Sequence, residues 1–170
     1  RAAFQSRGIR PVEVDLFDPD AVRTAVGGHD VVVNLATAIP VGERASDLTA
    51  WSVNDRIRQE ASHHLVDAAI AAGASRYVQE SIAFLYADGG DRWLDESAPV
   101  EPVEITASAL VAEAEARRFA EHADGGTGVA LRFGQFYGFD SGHTVQAIET
   151  ALAGAPVELG AESAYRSTIT

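Results

Sequence analysis

Residues 31–36, Val-Val-Val-Asn-Leu-Ala, constrain the fold most, because this segment is almost continuously apolar and lies between two stretches of helical periodicity. Such a run is typical of a parallel strand that is buried on both faces. The helix before it is predicted to begin at Asp18, whose carboxylate would cap the first turn ahead of Pro19, and to end at Gly27. A helix leading into a buried strand indicates βαβ units.

Helical and strand patterns alternate along the rest of the chain. Apolar residues at helical spacing predict helices over residues 46–72, 107–114 and 144–152, and Gly73 is expected to end the first of them. Strands are predicted at residues 11–16, 76–80, 129–133 and 165–170. This alternation predicts an α/β fold, in which a parallel sheet carries helices on both faces.

The composition excludes several classes of function. The formal net charge is −12, and an acidic surface repels phosphate backbones and anionic lipids, so neither nucleic acid nor membrane is expected as a partner. The chain has no Cys, and the adjacent His63 and His64 would point about 100° apart on a helix, so no metal site is predicted. No apolar run reaches the ~20 residues of a membrane span, which predicts a cytoplasmic protein. A chain without Met is expected to be a fragment or a trimmed chain.

The order and spacing of several short segments resemble the extended short-chain dehydrogenase/reductase superfamily, in its NAD-dependent epimerase/dehydratase group. These segments are Asp15-Leu16, Leu35-Ala36-Thr37, Val53-Asn54, residues 131–138 and residues 165–169. The resemblance implies a Rossmann-like doubly wound sheet, incomplete at both ends, whose first two strands and glycine-rich turn would precede Arg1. It implies one NAD(P)-binding domain over residues 1–170, with a substrate-binding part beginning at about residue 134.

The resemblance also assigns cofactor positions, with NAD or NADP as the cofactor. Asp15 would accept a hydrogen bond from the adenine amino group while Leu16 packs on the ring. Leu35, Ala36 and Thr37 would let the backbone approach the dinucleotide, and Asn54 would lie near the nicotinamide. The alternatives are that Asp15 merely ends a strand, that Asn34 forms a turn, and that Asn54 faces solvent.

Two further matches point to a small-molecule substrate such as a nucleotide-sugar. Gln135 stands at the amide position that contacts substrate in the family. Arg166 matches the arginine that binds the substrate diphosphate, a task for which a planar guanidinium is suited. The alternative for Arg166 is a solvated surface residue.

The family's catalytic residues are missing. A Tyr, a Lys four residues later and a Ser or Thr are expected, and the alignment puts Ile105, Ala109 and Ile82 at these positions. All 13 basic residues are Arg, so no Lys is present to lower the pKa of a phenol. A slip of one residue would make Ser81 the hydroxyl, and Tyr86 is the nearest phenol in sequence.

Glu80 is the unexpected residue of this segment. If it were buried beside a nicotinamide, its carboxyl could act as a general acid or base. The alternative is a surface or helix-capping residue. Glu80, Ser81 and Tyr86 are therefore the candidate catalytic residues.

The leading interpretation is an NAD(P)-binding, epimerase/dehydratase-like protein that acts on a nucleotide-sugar or related small molecule. The alternative is a non-catalytic dinucleotide-binding regulator or sensor. A third interpretation concerns residues 11–16, which would have no neighbouring strand if the first strand of the fold is absent. A homodimer or a strand swap could supply that neighbour.

Overall fold

A computed structural model of the chain describes residues 6–40, 42–156 and 167–169. Contacts between residues divide the chain into two compact units. The first comprises Arg1–Ser81 and Ala107–Leu131, and the second comprises Ile82–Thr106 and Arg132–Thr170. None of the helices in the described ranges is long and apolar enough to cross a bilayer.

The first unit alternates helices with the strands of a three-stranded sheet, in the order β1-β2-β3. The sheet and its helices, in chain order, are α1 Pro19–Val26, β1 Val31–Asn34, α2 Ser52–Arg56, α3 Ser62–Ala71, β2 Arg76–Ile82, α4 Ala107–His122 and β3 Thr127–Phe133. Strands β1 and β2 are parallel, with Asn34 opposite Gln79. Ala36, which follows β1, and Ser81, near the end of β2, therefore lie at the same edge of the sheet. The predicted α/β class and Rossmann-like arrangement are confirmed.

Helix α1 begins and ends as predicted, because the residues at each end determine where the helix starts and stops. The Asp18 carboxylate accepts hydrogen bonds from the backbone N–H groups of Asp20 (3.0 Å) and Ala21 (3.2 Å). Pro19 occupies the first turn, where its missing N–H is not needed, and Gly27 caps the other end. Val22 and Val26 are the buried residues of the helix.

The helix predicted over residues 46–72 is interrupted. It consists of 3-10 turns at Gly42–Ser46 and Leu48–Trp51, helix α2, a π-helical turn at Ile57–Ala61 and helix α3. Asp47 caps the second 3-10 turn by accepting a hydrogen bond from the Thr49 N–H (2.9 Å). Gly73, at φ 68°, follows the helix and supplies the left-handed conformation that ends it, as predicted.

Two expectations for the strands are wrong within the described residues. Residues 11–16 do not form a strand, because a strand requires a hydrogen-bonded neighbour; Val14 and Leu16 instead pack against the core from a segment without helix or strand structure. Strand β1 is not buried on both faces, since Val31 and Val33 are 48% and 54% exposed. The described helices provide apolar cover for only one face of this strand.

The hydrophobic core of the first unit lies between the sheet and helices α1, α3 and α4. Helix α3 packs against both α1 and α4. The Tyr77 and Phe119 rings, 5.8 Å apart, join β2 to α4. The buried residues of this core are Val22, Val26, Val32, Leu65, Val66, Ala68, Ala69, Ala74, Tyr77, Ala116 and Phe119.

The second unit contains a 3-10 turn at Ala83–Leu85, a long loop, helix α5 at Gly142–Leu152 and two short strands. Strands β4 (Gln135–Phe136) and β5 (Thr168–Ile169) pair in parallel. The predicted strand at residues 165–170 is thus present at Thr168–Ile169, whereas residues 165, 166 and 170 lie outside the described residues.

Candidate functional site

The backbone that follows strand β1 is held by two buried asparagines. The Asn34 Oδ1 atom accepts a hydrogen bond from the Ala36 N–H (3.1 Å), and the Asn54 Oδ1 atom accepts one from the Ala38 N–H (3.0 Å). Asn34 therefore forms the turn considered above, and Asn54, which is fully buried, does not face solvent. Leu35 and Thr37 are exposed and Ala36 is half-buried, so this segment presents one leucine and two small side chains on a fixed backbone.

Asn34 also belongs to a buried hydrogen-bond network on strand β2. Its Nδ2 atom donates to Gln79 Oε1 (3.0 Å), which also accepts from the Tyr77 hydroxyl (2.8 Å). The Gln79 amide nitrogen donates to the carbonyl oxygen of Glu80 (2.9 Å). Burial raises the pKa of Tyr77 well above its ordinary value, so this phenol stays neutral and is a poor proton acceptor.

Glu80 forms an ion pair inside the protein. Its Oε1 atom lies 2.8 Å from Nη2 of Arg58, and the two side chains are 8% and 0% exposed. Glu80 is therefore buried in an ion pair. The expectation that it is a surface or helix-capping residue is wrong. Within the described residues, Oε2 of Glu80 and both Nε and Nη1 of Arg58 have no hydrogen-bond partner. The observed role of the Glu80 carboxylate is to neutralise a buried guanidinium.

The Ser81 hydroxyl is engaged by a residue that the sequence did not single out. Its Oγ atom donates to Oε1 of Glu113 on helix α4 (2.6 Å), and both residues are buried. The same carboxylate also forms an ion pair with Arg117 one turn along the helix, whose exposed guanidinium has Nη1 3.9 Å from Oε2 of Glu113. The overlooked signal was the buried stripe on the same helix face, formed by Ala109, Ala112 and Ala116.

The position expected to hold a catalytic lysine lies in the packed interior. Ala109 is completely buried in helix α4. Ile105, at the tyrosine position, and Ile82, at the hydroxyl position, are half-buried residues of the second unit. Tyr86 is also in that unit, and the Arg132 guanidinium lies 4.7 Å from the centre of its ring. The second unit therefore places a cation against the face of this phenol.

Asp15 is exposed and makes a local turn. Its Oδ1 atom accepts a hydrogen bond from the Phe17 N–H (2.9 Å), and its carbonyl oxygen accepts one from the Asp18 N–H (3.2 Å). The Arg56 guanidinium covers the Phe17 ring at 3.8 Å from its centre. Neighbouring Leu16 is partly buried against the core, and the adenine contact proposed for this pair stays a prediction.

A cleft of about 340 Å³ opens beside the segment that follows β1. Among the described residues, Arg44 is the only charged one that lines it. Nearby, hydrogen bonds from the Thr49 hydroxyl and N–H, together with the Arg44 charge, hold the pKa of Asp47 below its ordinary value. The residues that line the cleft are Ala38, Ile39, Pro40, Arg44, Ala50 and Val53.

Of the two substrate positions, only Gln135 lies in a described segment. It is half-buried in β4, and its N–H donates to the Ser167 carbonyl (2.8 Å). Arg166 lies outside the described residues. Among the residues that the structure describes, no group of three or more His, Asp or Glu side chains is arranged to hold a metal ion.

Comparison with known proteins gives three kinds of match. A sequence model of NAD(P)H-binding proteins matches residues 1–151. A 3-diazoavenalumate denitrifying reductase from a Streptomyces species is 39% identical over 139 residues, which cover 79% of this chain and 45% of that protein. The chain thus spans about half the length of this curated relative.

The solved structures share the fold. The dTDP-glucose 4,6-dehydratase DesIV from Streptomyces venezuelae, with NAD bound, superposes with a TM-score of 0.74 at 22% identity, covering 95% of this chain and 50% of that one. MoeE5 in complex with UDP-glucose and NAD superposes with a TM-score of 0.66 at 26% identity, covering 88% and 50%. The resemblance drawn from the sequence is confirmed.

Proposed function

Since the chain belongs to the NAD(P)H-binding family and has the fold of its epimerase/dehydratase members, we propose that it is part of an NAD(P)H-dependent reductase that needs no Tyr–Lys pair. The observation that carries this proposal is which residues stand at the positions of the family's catalytic Tyr and Lys. Ala109 stands at the lysine position and is completely buried, and Ile105 stands at the tyrosine position.

The residues after β1 fit one part of a dinucleotide site. Ala36, Thr37 and Ala38 have small side chains, and the asparagine hydrogen bonds fix their backbone. The Asn54 Nδ2 atom is buried and has no hydrogen-bond partner among the residues described. Asp15 and Leu16 are proposed for the adenine end. No Gly-x-x-Gly-x-x-Gly segment occurs in the 170 residues, so these residues hold only part of the cofactor. When bound, the dinucleotide supplies a hydride.

The side chains of the first unit are poorly placed to supply a proton. Reduction of a carbonyl generates an alkoxide, which in this superfamily takes a proton from a phenol activated by lysine. Here the Ser81 hydroxyl donates to Glu113 and the Glu80 carboxylate is paired with Arg58. A catalytic role for Ser81 or Glu80 would require these bonds to break. The acceptor that suits this site is therefore one whose reduction consumes a hydride without a proton.

An arenediazonium group is such an acceptor, and the curated relative is named for the reduction of a diazo compound with loss of nitrogen. The hydride electron pair forms the new C–H bond, and the electron pair of the broken C–N bond leaves with N2. The positive charge of the diazonium is cancelled by the hydride, so the equation balances without a proton. We assign this reaction class to the protein that carries this chain.

We expect that protein to move deuterium from C4-deuterated NADPH onto the aromatic ring of 3-diazoavenalumate, with release of N2. Mass spectrometry of the product measures the transfer. Benzaldehyde serves as the matched acceptor that does require a proton, and it should not be reduced. Oxidation of NADPH without label in the product, or reduction of the aldehyde alone, would refute the proposal.

A nucleotide-sugar epimerase or dehydratase is the second candidate. It is favoured by the match of Gln135 and Arg166 to family substrate positions, and by structural relatives solved with nucleotide-sugars. This candidate predicts binding of dTDP-glucose or UDP-glucose by calorimetry, followed by oxidation of the sugar. Dinucleotide binding without turnover of either substrate class would instead indicate the non-catalytic regulator or sensor.

A further inference from the structure

The cleft beside Ala38 has the size and lining of a subsite for a small, largely apolar molecule. Its volume of about 340 Å³ lies at the small end of ligand pockets, which run from roughly 300 to 1,000 Å³. The small side chains of Ala38 and Ala50 leave space in the cleft. Apolar surface is supplied by Ile39, Pro40 and Val53. Ile39 and Val53 are 42% and 53% exposed, so their apolar surface is available to a ligand.

Arg44 gives this apolar cleft one positive charge. Within the described part of the chain, the Arg44 side chain makes no hydrogen bond or ion pair, whereas its carbonyl oxygen accepts a hydrogen bond from the Asp47 N–H (3.2 Å). The Oδ1 atom of the nearby Asp47 accepts hydrogen bonds from the Thr49 N–H (2.9 Å) and hydroxyl (2.7 Å), and this carboxylate interacts with Arg44 only at longer range. The Arg44 guanidinium therefore keeps its donors for another partner.

A carboxylate is the partner that this arrangement suits best. A guanidinium donates two parallel hydrogen bonds to a carboxylate, and such charge-assisted bonds are stronger than bonds between neutral groups. Among the described residues that line the cleft, Arg44 is the only charged one, so an anionic group would be held at this residue of an otherwise apolar lining. The apolar lining favours a ligand whose remaining part, away from the carboxylate, is hydrophobic.

We propose that this cleft binds an aromatic or conjugated carboxylic acid, with the ring against the apolar lining and the carboxylate on Arg44. This inference rests on the proposed function, because it names the substrate class of the proposed reductase. Ala38 belongs both to the cleft and to the fixed segment after β1, so the acid binds next to the residues proposed for the cofactor.

The test compares cinnamate with cinnamamide, which has the same shape without the charge, by calorimetry on this chain without dinucleotide. Cinnamate is expected to bind about 10-fold or more tightly than cinnamamide. Replacing Arg44 by Gln should weaken cinnamate binding by about 10-fold to 100-fold and leave cinnamamide binding unchanged. The matched control is Arg23→Gln, since Arg23 is an exposed arginine on α1 whose side chain pairs with Asp20. It should alter neither affinity.

A second variant tests the apolar part of the cleft. Ala50→Leu fills the space and should weaken the binding of both ligands. Equal affinities of wild-type protein for cinnamate and cinnamamide would overturn the proposal, as would full cinnamate affinity in Arg44→Gln. Because Arg44 is exposed, its replacement leaves the fold intact, and the wild-type comparison needs no variant. Cinnamate binding in a protein that fails to transfer deuterium would reject the reductase and keep the carboxylate site.

Discussion

Replacing Glu80 by Gln is expected to lower the free energy of unfolding by about 3 kcal/mol or more, because it leaves the Arg58 guanidinium buried without a counter-charge. Arg58 is fully buried, and its Nε and Nη1 atoms already lack partners among the described residues. The Glu80 carboxylate is thus its only charged partner within the described part of the chain. Urea unfolding followed by circular dichroism measures the loss.

The double variant Arg58→Met/Glu80→Leu distinguishes the net contribution of the ion pair to the free energy of unfolding from the loss of stability when only one partner is removed. Replacing a buried ion pair by apolar residues of similar size is often neutral or stabilising, so the double variant should lose less stability than Glu80→Gln. The exposed pair Arg56–Glu60 is the control, and Glu60→Gln should unfold at nearly the same urea concentration as the wild type. A Glu80→Gln protein as stable as the wild type would show that the ion pair does not support the fold.

The same variant distinguishes a structural from a catalytic role of Glu80. If Glu80 only neutralises Arg58, the fraction of Glu80→Gln that remains folded should turn over substrate at the wild-type rate. If Glu80 transfers a proton, turnover per folded molecule should fall instead, since the amide cannot act as an acid or a base.

Replacing Gly128 by Ala is expected to destabilise the first unit by about 3 kcal/mol, because strand β3 approaches helix α4 too closely for a side chain. An added Cβ would overlap the carbonyl oxygen of Ala116 and also lie within 3.4 Å of the Ala120 backbone nitrogen. Both are backbone atoms, which cannot rotate away as a side chain would. Strand and helix would have to separate.

Gly27→Ala is the matched control for this substitution. At Gly27 the added Cβ would make ordinary contacts, at 3.5 Å from the Arg23 carbonyl oxygen, and the backbone conformation there is open to any residue. Its unfolding midpoint in urea should stay close to the wild-type value. A Gly128→Ala protein with the same midpoint as this control would contradict the close packing of β3 on α4, the helix that carries Glu113.

Local signals made some of the fold predictable. The start of α1 followed from Asp18 and Pro19, because a cap and a first-turn proline act within a few residues. The stop at Gly73 followed in the same way from the conformation that glycine tolerates.

Residues 11–16 and strand β1 were misjudged because their state depends on distant neighbours. An apolar run shows that a segment can be buried, but burial of Val31 and Val33 needs cover from other elements, and a strand needs a partner. The break in the helix over residues 46–72 could not be predicted from the sequence either, because helical spacing of apolar residues continues through the π-helical turn that contains Arg58.

The candidate site was predictable in outline but not in its polar contacts. The segment Leu35–Thr37 and the absence of a Tyr–Lys pair follow from the sequence, because they depend on residue type and order. The Glu80–Arg58 and Ser81–Glu113 contacts join residues 22 and 32 positions apart, and one sequence contains no sign of which residues meet.

The central claim is that this protein reduces its substrate without a proton from a side chain. The most direct test is the rate of 3-diazoavenalumate reduction at saturating NADPH, in H2O and in D2O. The account predicts equal rates in the two solvents, with the rate lowered only when the nicotinamide C4 position carries deuterium. A clearly slower reaction in D2O, with protonated cofactor in both solvents, would show that a proton moves in the rate-limiting step and would contradict the account.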